Sequence, residues 1–415
     1  MFAETRKDLV VMNIFYIIFI FLALYFSYCY DGIEEFDSHK EHRLWLLCLY
    51  LICLAGFSYG LGADKFFYLR EFDYYPDSLS ELGDYIQLNI MLKGLMPLWT
   101  IVNAVCKVVF NSFYAVQLLE SATINIAVCY MVSRYTHRYF LFLLIYFFTL
   151  QYFVFNTEVM REGFALSFIL YGIDGYLSGK KWLYFVMLPI ALMFHVSAAI
   201  SLLILFSRFS ISWKTLAYAF ILAFSLWLLG DILLQRVVTV ALGGMGALIM
   251  KVINHSFEAT NFFGFLRFSL TYLVFPFIIM YTALQIEPSE ELRKKKERIM
   301  AFMVLLGIIA SSMVGFIRFY NYVQIFYLIA LADFVYILFR IKEHLIIRLG
   351  TLAGTVLFIA LIYLNYYNST NTYFYHFFYP YTCILNEDKS VYFREIAHKE
   401  ALELDVKDDN VRDID

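Results

Sequence analysis

The sequence predicts an all-α polytopic integral membrane protein, and three observations carry that prediction. Hydrophobic residues make up 62% of the 415 residues and charged ones only 16%, far from the balance of a water-soluble domain. Apolar runs long enough to cross about 30 Å of hydrocarbon recur from Leu9–Tyr30 to about Asn365. Lys and Arg gather in the short connections between those runs, as they do in cytoplasmic loops. A single transmembrane domain, residues 1–385, is therefore expected, with about 10–12 helices and some kinked or re-entrant segments. Residues 386–415 form a short acidic tail with no core of its own.

Taken in order, Leu9–Tyr30 is too long for a signal-peptide core, and its flank YFSYCYDG lacks a small-x-small cleavage pattern. It reads as an uncleaved first helix. The strongest orientation signal is EELRKKKER, residues 290–298, whose five basic residues place that connection in the cytoplasm. The connections DGIEEFDSHKEHR, RYTHR, SGKK, SRFSISWK and RIKEHLIIR share its side if the intervening helices come in pairs. That parity requires two apolar regions not to span singly. Residues 86–113, interrupted by Lys93, Pro97 and Lys107, are expected to form a hairpin or interfacial helix entering and leaving from the outside. Residues 182–206 are expected to bend near Pro189 or His195 into two short helices. Proline removes a backbone hydrogen bond, and histidine at mid-membrane needs a polar cavity. A single 25-residue span is the alternative, and it would invert everything N-terminal to it. The outer face then collects the loop 62–113, the turn 156–162, the region of His195, the loop 237–264, the connection at Arg318 and the stretch from about 367.

Several function classes are excluded. The net charge of −3 argues against nucleic acid as a partner. The six cysteines, at 29, 48, 53, 106, 129 and 383, are scattered with no CxxC, so neither a disulfide framework nor a thiolate metal site is implied. A Walker loop, a GxGxxG fingerprint, HExxH and a GxSxG elbow are all absent, as is any obvious solenoid or inverted repeat.

The stretch VFNTEVMREGFALSF, residues 154–168, sets Glu158, Arg161 and Glu162 among apolar residues. Arg161 at the bilayer edge has a bland reading, a snorkelling side chain paired with Glu158 at i−3. The pattern repeats, however, in GFIRFYNY, residues 315–322, where Arg318 stands between two apolar spans. Two arginines at one membrane depth on distant helices suit a bound diphosphate, whose oxygens accept forked, charge-assisted hydrogen bonds. The stretch GFSYGLGADKFFYLREFDYYPDS, residues 56–78, adds Gly60 and Gly62 at a helix end, then Asp64, and Tyr68, Tyr74 and Tyr75 as flat surfaces for sugar rings. A surface loop rich in Tyr and Asp is common in its own right. His195 is the sole histidine inside an apolar run; it reads either as a buried ring satisfied by a backbone carbonyl or as a functional group, and no second ligand at metal spacing accompanies it. Glu120, a lone acid in a span, reads as the partner of a neighbouring helix.

The ordered set GFSYGLGADKFFY, NTEVMREGFA, LSGKKWLYFVMLPIALMFHVSA, IRFYNY and FYPYTCIL resembles the EpsG-like branch of the Wzy-type polysaccharide polymerases, from about residue 45 to 385. Gly60, Gly62, Asp64, Tyr68, Arg161, Ala165, His195, Ser197, Ala198, Arg318, Tyr320, Pro380 and Tyr381 match the family pattern by position. Ser58 departs from it, standing where the family often has arginine, as does Glu162, which replaces the usual glutamine. Arg70 or Lys65 could supply the cation that Ser58 lacks.

The resemblance implies a multi-pass protein of the bacterial cytoplasmic membrane, similar to class C glycosyltransferases, with its active site facing outside. It implies polymerisation of O-antigen, capsule or exopolysaccharide. A growing glycan on a polyprenyl diphosphate would pass to a sugar hydroxyl of an incoming lipid-linked repeat unit. Arg161 and Arg318 would take the diphosphate charge without a metal or other cofactor. Asp64 would be the base, with Glu158 or His195 as alternatives, and Tyr68, Tyr320 and Tyr381 would line the sugar path. The partners implied are the polyprenyl-diphosphate-linked oligosaccharide, membrane lipid, a chain-length regulator and a flippase. The competing readings are a flippase or transporter of lipid-linked glycans, a related lipid-linked glycosyltransferase or ligase, and a membrane acyltransferase built round His195.

Overall fold

The computed structural model describes residues 14–62, 64–93, 96–241, 261–312, 314–340, 378 and 381–384. Among these residues every regular element is helical, apart from an isolated antiparallel bridge between Ser58 and Cys383. Most of the loop 237–264, the connection RIKEHLIIR, Pro380 and the tail 386–415 lie outside the described residues. Phe113–Tyr135, Phe262–Gln285 and Gly315–Leu338 are each long and apolar enough to cross a bilayer, and shorter apolar helices accompany them. The all-α polytopic class read from composition is the class observed.

Helix α1, Ile14–Tyr30, buries Tyr16, Phe19, Ala23 and Phe26, a spacing that puts all four on one face. Phe21 and Tyr28 point outward, as a lipid-facing surface allows. Helix α2, Ser38–Gly56, starts where the Asp37 carboxylate accepts from the His39 amide at 2.8 Å. Short helices α3, Asp64–Asp73, α4, Leu82–Lys93, and α5, Pro97–Phe110, follow. Helix α6, Phe113–Tyr135, turns Gln117, Glu120, Ser121 and Asn125 into the interior. The Gln117 amide donates to the carbonyls of Ala55 at 2.6 Å and Ser58 at 2.8 Å, satisfying the open end of α2.

The apolar window that follows is not one straight helix. Helix α7, Tyr139–Phe148, is bent by 79° from the segment Gln151–Glu158. Leu150 sits at φ 61° in the break, and Val154–Glu158 closes as a π-turn. Its ends mark it as a broken span. The Tyr139 hydroxyl donates to Glu41 at one end, and Glu158 meets Asp64 at the other. Helix α8, Met160–Leu177, then returns.

Residues 182–206 divide at His195 and not at Pro189. Helix α9, Lys181–Phe194, ends there in an extended residue, and a 3-10 helix covers Val196–Phe206. The two halves lie side by side, with the Tyr184 hydroxyl 3.0 Å from Ser201 Oγ, and the chain comes back far enough for Arg208 to reach the Tyr176 hydroxyl. Fourteen α-helical residues and eleven 3-10 residues both rise by about 21–22 Å, so the hairpin closes evenly. The remaining helices are α10, Trp213–Ala241, α11, Phe262–Gln285, α12, Glu290–Ser312, and α13, Asn321–Arg340, with a 3-10 turn at Val314–Tyr320 before α13.

Polar side chains collect in two layers at opposite ends of these helices. In one, Lys40 donates to the carbonyls of Ile33 and His137, Arg138 to the Asp31 carbonyl and to Glu34, and Thr136 to Asp333. Lys296 bridges Glu287 at 2.6 Å and Asp333 at 3.0 Å. The connections 31–43, 134–138 and 287–298 therefore share a side. Lys296→Ala would leave two enclosed carboxylates facing each other, a loss of about 3–5 kcal/mol; a thermal melt of the purified protein should show it, and an unchanged melting temperature would contradict the pairing.

The other layer holds residues 56–77, the turn at 154–162, His195 and the turn at Arg318. Helix α5 runs along it. Met96 at its start touches Arg161, and Lys107 near its end donates to the carbonyls of Asp73 and Tyr75, so both ends of the helix contact this layer.

Candidate functional site

The site is built on the loop between α2 and α3. Gly62 has φ +87°, and a Cβ there would lie 2.7 Å from Thr157 Oγ1 and 2.9 Å from Glu158 Oε1. Glycine thus brings this loop onto the π-turn Val154–Glu158. The Asp64 amide donates to Glu158 Oε2 at 3.2 Å, and the Tyr68 hydroxyl donates to the Glu158 carbonyl at 3.4 Å. Gly62→Ala should add backbone strain of about 1–3 kcal/mol and push the loop off the turn. Faster proteolysis between residues 58 and 75 would report it, and an unaltered cleavage pattern would count against the contact.

Arg161 follows the π-turn, in the first turn of α8. Its guanidinium lies 5.2 Å from the centre of the Tyr68 ring, and one nitrogen reaches Met96 Sδ at 3.5 Å. Trp99 meets the Tyr68 ring edge-on at 5.3 Å. Burial pushes the Tyr68 phenol up to about 12, so it remains a neutral donor at physiological pH. Glu158 does not make a salt bridge with Arg161; its carboxylate is turned toward the α3 start instead.

His195 stands at the apex of the α9 hairpin. Its Nδ1 is hydrogen-bonded to Ser197 Oγ, which is 2.8 Å from the Tyr322 hydroxyl. That leaves Nε2 as the nitrogen not engaged by Ser197. Burial first, and then the charges of Arg161 and Arg318, push the imidazole pKa down to about 4. Arg318 is exposed, in the 3-10 turn before α13, and its charge also reaches Glu162. Glu162 is buried and accepts from the Asn321 side chain at 3.2 Å.

Six of the residues singled out from the sequence thus fall in one neighbourhood: Asp64, Tyr68, Glu158, Arg161, His195 and Arg318. Tyr320 does not. It is buried, packs edge-on against Tyr272 at 5.2 Å, and its hydroxyl has no hydrogen-bond partner among the described residues. Tyr381 also stands apart, against Phe15 and Tyr16, where it lines an apolar cleft of about 400 Å³ with Tyr50, Cys53 and Phe57. The segment carrying it is tied to the first loop, with the Tyr59 amide donating to the Thr382 carbonyl at 2.8 Å and the Ile384 amide to Phe57 at 3.0 Å.

The neighbourhood contains side chains that sequence reasoning did not assign to it. Ser197, Asn321 and Tyr322 complete the contacts of His195 and Glu162, and all three lie within four residues of a group that was singled out. Of the two cations considered in place of an arginine at Ser58, Lys65 is buried with Nζ 2.8 Å from Ser58 Oγ, whereas Arg70 is exposed. Glu120 is fully buried, and neither carboxyl oxygen has a hydrogen-bond partner among the described residues. It packs on α8, where a Cβ on Gly163 would lie 2.5 Å from its Oε1.

No group of three or more His, Cys, Asp or Glu placed to hold a metal ion occurs among the described residues. No curated protein and no solved structure matches the chain. The EpsG family model matches residues 43–383, the whole stretch from α2 through the Tyr381 segment. A match over that share of the sequence, on a polytopic helical fold, makes this chain a member of the EpsG family of Wzy-type polysaccharide polymerases.

Proposed function

We propose that this protein joins polyprenyl-diphosphate-linked oligosaccharide repeat units by glycosyl transfer at the outer face of the bacterial cytoplasmic membrane. The observation that carries the reading is that hydrogen bonds join the three segments holding Arg161, His195 and Arg318: Glu162, beside Arg161, accepts from Asn321, and Ser197, bonded to His195, meets the Tyr322 hydroxyl, both partners lying just after Arg318. The three segments meet in a polar layer at the opposite end of the helices from the basic loops, which points outward by the bias of Lys and Arg toward the cytoplasm.

In this reading the acceptor sugar hydroxyl attacks the anomeric carbon of the donor glycan. A new carbon–oxygen bond forms as the bond from that carbon to the diphosphate oxygen breaks, and the diphosphate departs with the bonding electrons. Arg161 and Arg318 offset the charge that develops on it, as fixed donors do in a site of low dielectric. The hydroxyl proton passes to a base. Among Asp64, Glu158 and His195, the imidazole is the group held by a side-chain relay and placed near both arginines, so we assign it that role. Burial, and after it the two guanidinium charges, disfavour a charged imidazole; a bound diphosphate offsets the guanidinium part and so favours proton removal in an occupied site. Tyr68, buried against Trp99 and Arg161, holds the guanidinium in place beside the sugar path.

Purified protein supplied with a lipid-linked repeat unit tests the proposal. Lipid-linked chains of two or more units are expected. Translocation of the substrate across a vesicle without chain growth would identify a flippase instead and overturn it.

A further inference from the structure

A second cationic site lies at the other end of α8, away from the groups assigned to glycosyl transfer. Tyr176 is buried, and its hydroxyl accepts from two guanidinium groups, Arg208 at 3.4 Å and Arg298 at 3.2 Å. Arg208 comes from the connection after the His195 hairpin and Arg298 from α12. Two positive charges from separate elements therefore meet at one neutral oxygen. Neither has a carboxylate partner among the described residues, although Lys294 and Lys295 on the same helix are paired with Glu290 and Glu291. The acid nearest in sequence, Glu297, is turned to the Ile211 amide at 3.5 Å. Arg298 lies over the Tyr176 ring at 4.9 Å, and its Nε is buried with no acceptor among the described residues. A guanidinium held this way costs free energy unless an acceptor reaches it.

The surroundings indicate what the acceptor is. Trp182 and Trp213, at the starts of α9 and α10, are 64% and 56% exposed. Tryptophan side chains standing out from helix ends are characteristic of the headgroup level of a bilayer. Phe206, two residues before Arg208, is 70% exposed and apolar, as a surface against acyl chains would be. Exposed Lys180, Lys181 and Lys214 add positive charge beside the same helix ends. An oxyanion here would sit at the boundary of hydrocarbon and water, beside exposed Arg208 and the open Nε of partly buried Arg298.

We propose that Arg208 and Arg298 bind the phosphate of an anionic phospholipid headgroup in the leaflet on the basic-loop side, with Tyr176 holding the two guanidinium groups together. The site is separate from the proposed glycosyl-transfer centre and does not depend on that reading.

Full-length protein in detergent, mixed with equal amounts of phosphatidylglycerol and phosphatidylcholine, is expected to retain the anionic lipid selectively in native mass spectrometry. Arg208→Gln and Arg298→Gln should each lower that retention about five-fold, the loss typical of one basic residue at an anionic lipid surface. Arg293→Gln, an exposed control on α12, should leave it unchanged. Equal losses in all three variants would mean diffuse attraction and overturn the site, as would full retention in the first two. Inorganic phosphate at the lipid's concentration is expected not to displace phosphatidylglycerol; displacement would make the ligand a soluble phosphate and refute the lipid assignment. If the glutamine variants fail to purify, Arg208→Lys and Arg298→Lys carry the same test, because lysine keeps the charge but loses the fork. A loss of about two-fold is expected of them, and wild-type retention would overturn the site.

Discussion

Alanine in place of Arg161 or Arg318 is expected to collapse the ladder of surface polysaccharide to a single repeat unit while the protein stays at its normal level. Removing one fixed donor from a site that stabilises developing negative charge typically lowers the rate about 10²- to 10³-fold, enough to erase long chains from a gel. The two variants should differ in what else they change. Arg318 is exposed, so its loss leaves the packing intact. Arg161 packs on Tyr68 and Met96, so Arg161→Lys is the better control for fold. Lysine supplies charge without the planar fork and should restore short chains only. An unaltered ladder from both alanine variants would remove the arginines from the reaction.

His195→Gln is expected to lower turnover about 10²- to 10⁴-fold, the range usual for a positioned general base, with little change in the affinity for the lipid-linked donor. Glutamine still offers a hydrogen bond to Ser197 but cannot take a proton. Ser197→Ala should cost less, roughly ten-fold, because it frees the ring to rotate without removing it, and it should alter the pH profile of the residual activity. Asp64→Asn and Glu158→Gln separate the rival assignments. If Asp64→Asn abolishes turnover and His195→Gln leaves it near wild type, the base is the acid of the first loop and the imidazole has a structural part.

Much of the candidate site was legible before any coordinates because charge in a hydrocarbon setting is conspicuous. Arg161, Arg318 and His195 each interrupt an apolar run, and an interruption of that kind needs a polar cavity wherever the helices go. The bend in residues 182–206 was legible for the same reason, although its position was not. Pro189 is accommodated inside α9, and the break falls at His195, whose extended backbone turns the chain and whose ring caps the following 3-10 helix. The bend at Leu150 had no such marker. The window YFLFLLIYFFTLQYF carries neither glycine nor proline, and only packing reveals that its helix stops after Phe148.

Aromatic residues were the least legible. With 34 tyrosines in the chain, position in a motif did not separate a ring beside the cations from one in the core. Tyr68 is beside Arg161, Tyr320 is turned onto Tyr272, and Tyr381 belongs to a separate cleft. A tyrosine is apolar over most of its surface and suits all three settings, so its place follows from neighbours distant in sequence.

By itself, the sequence determined the helical membrane class, the segregation of basic connections to one side, the family, and the charged groups that needed a polar enclosure. Hydropathy and charge are local and add up along a chain, so they can be read without knowing which helices touch. Only the tertiary structure decided that the α9 hairpin returns at His195, that Glu158 serves the first loop and not Arg161, and which tyrosine stands by the cations. Those outcomes depend on side chains meeting across helices far apart in the chain, and the direction each one takes is set by packing that no single segment encodes.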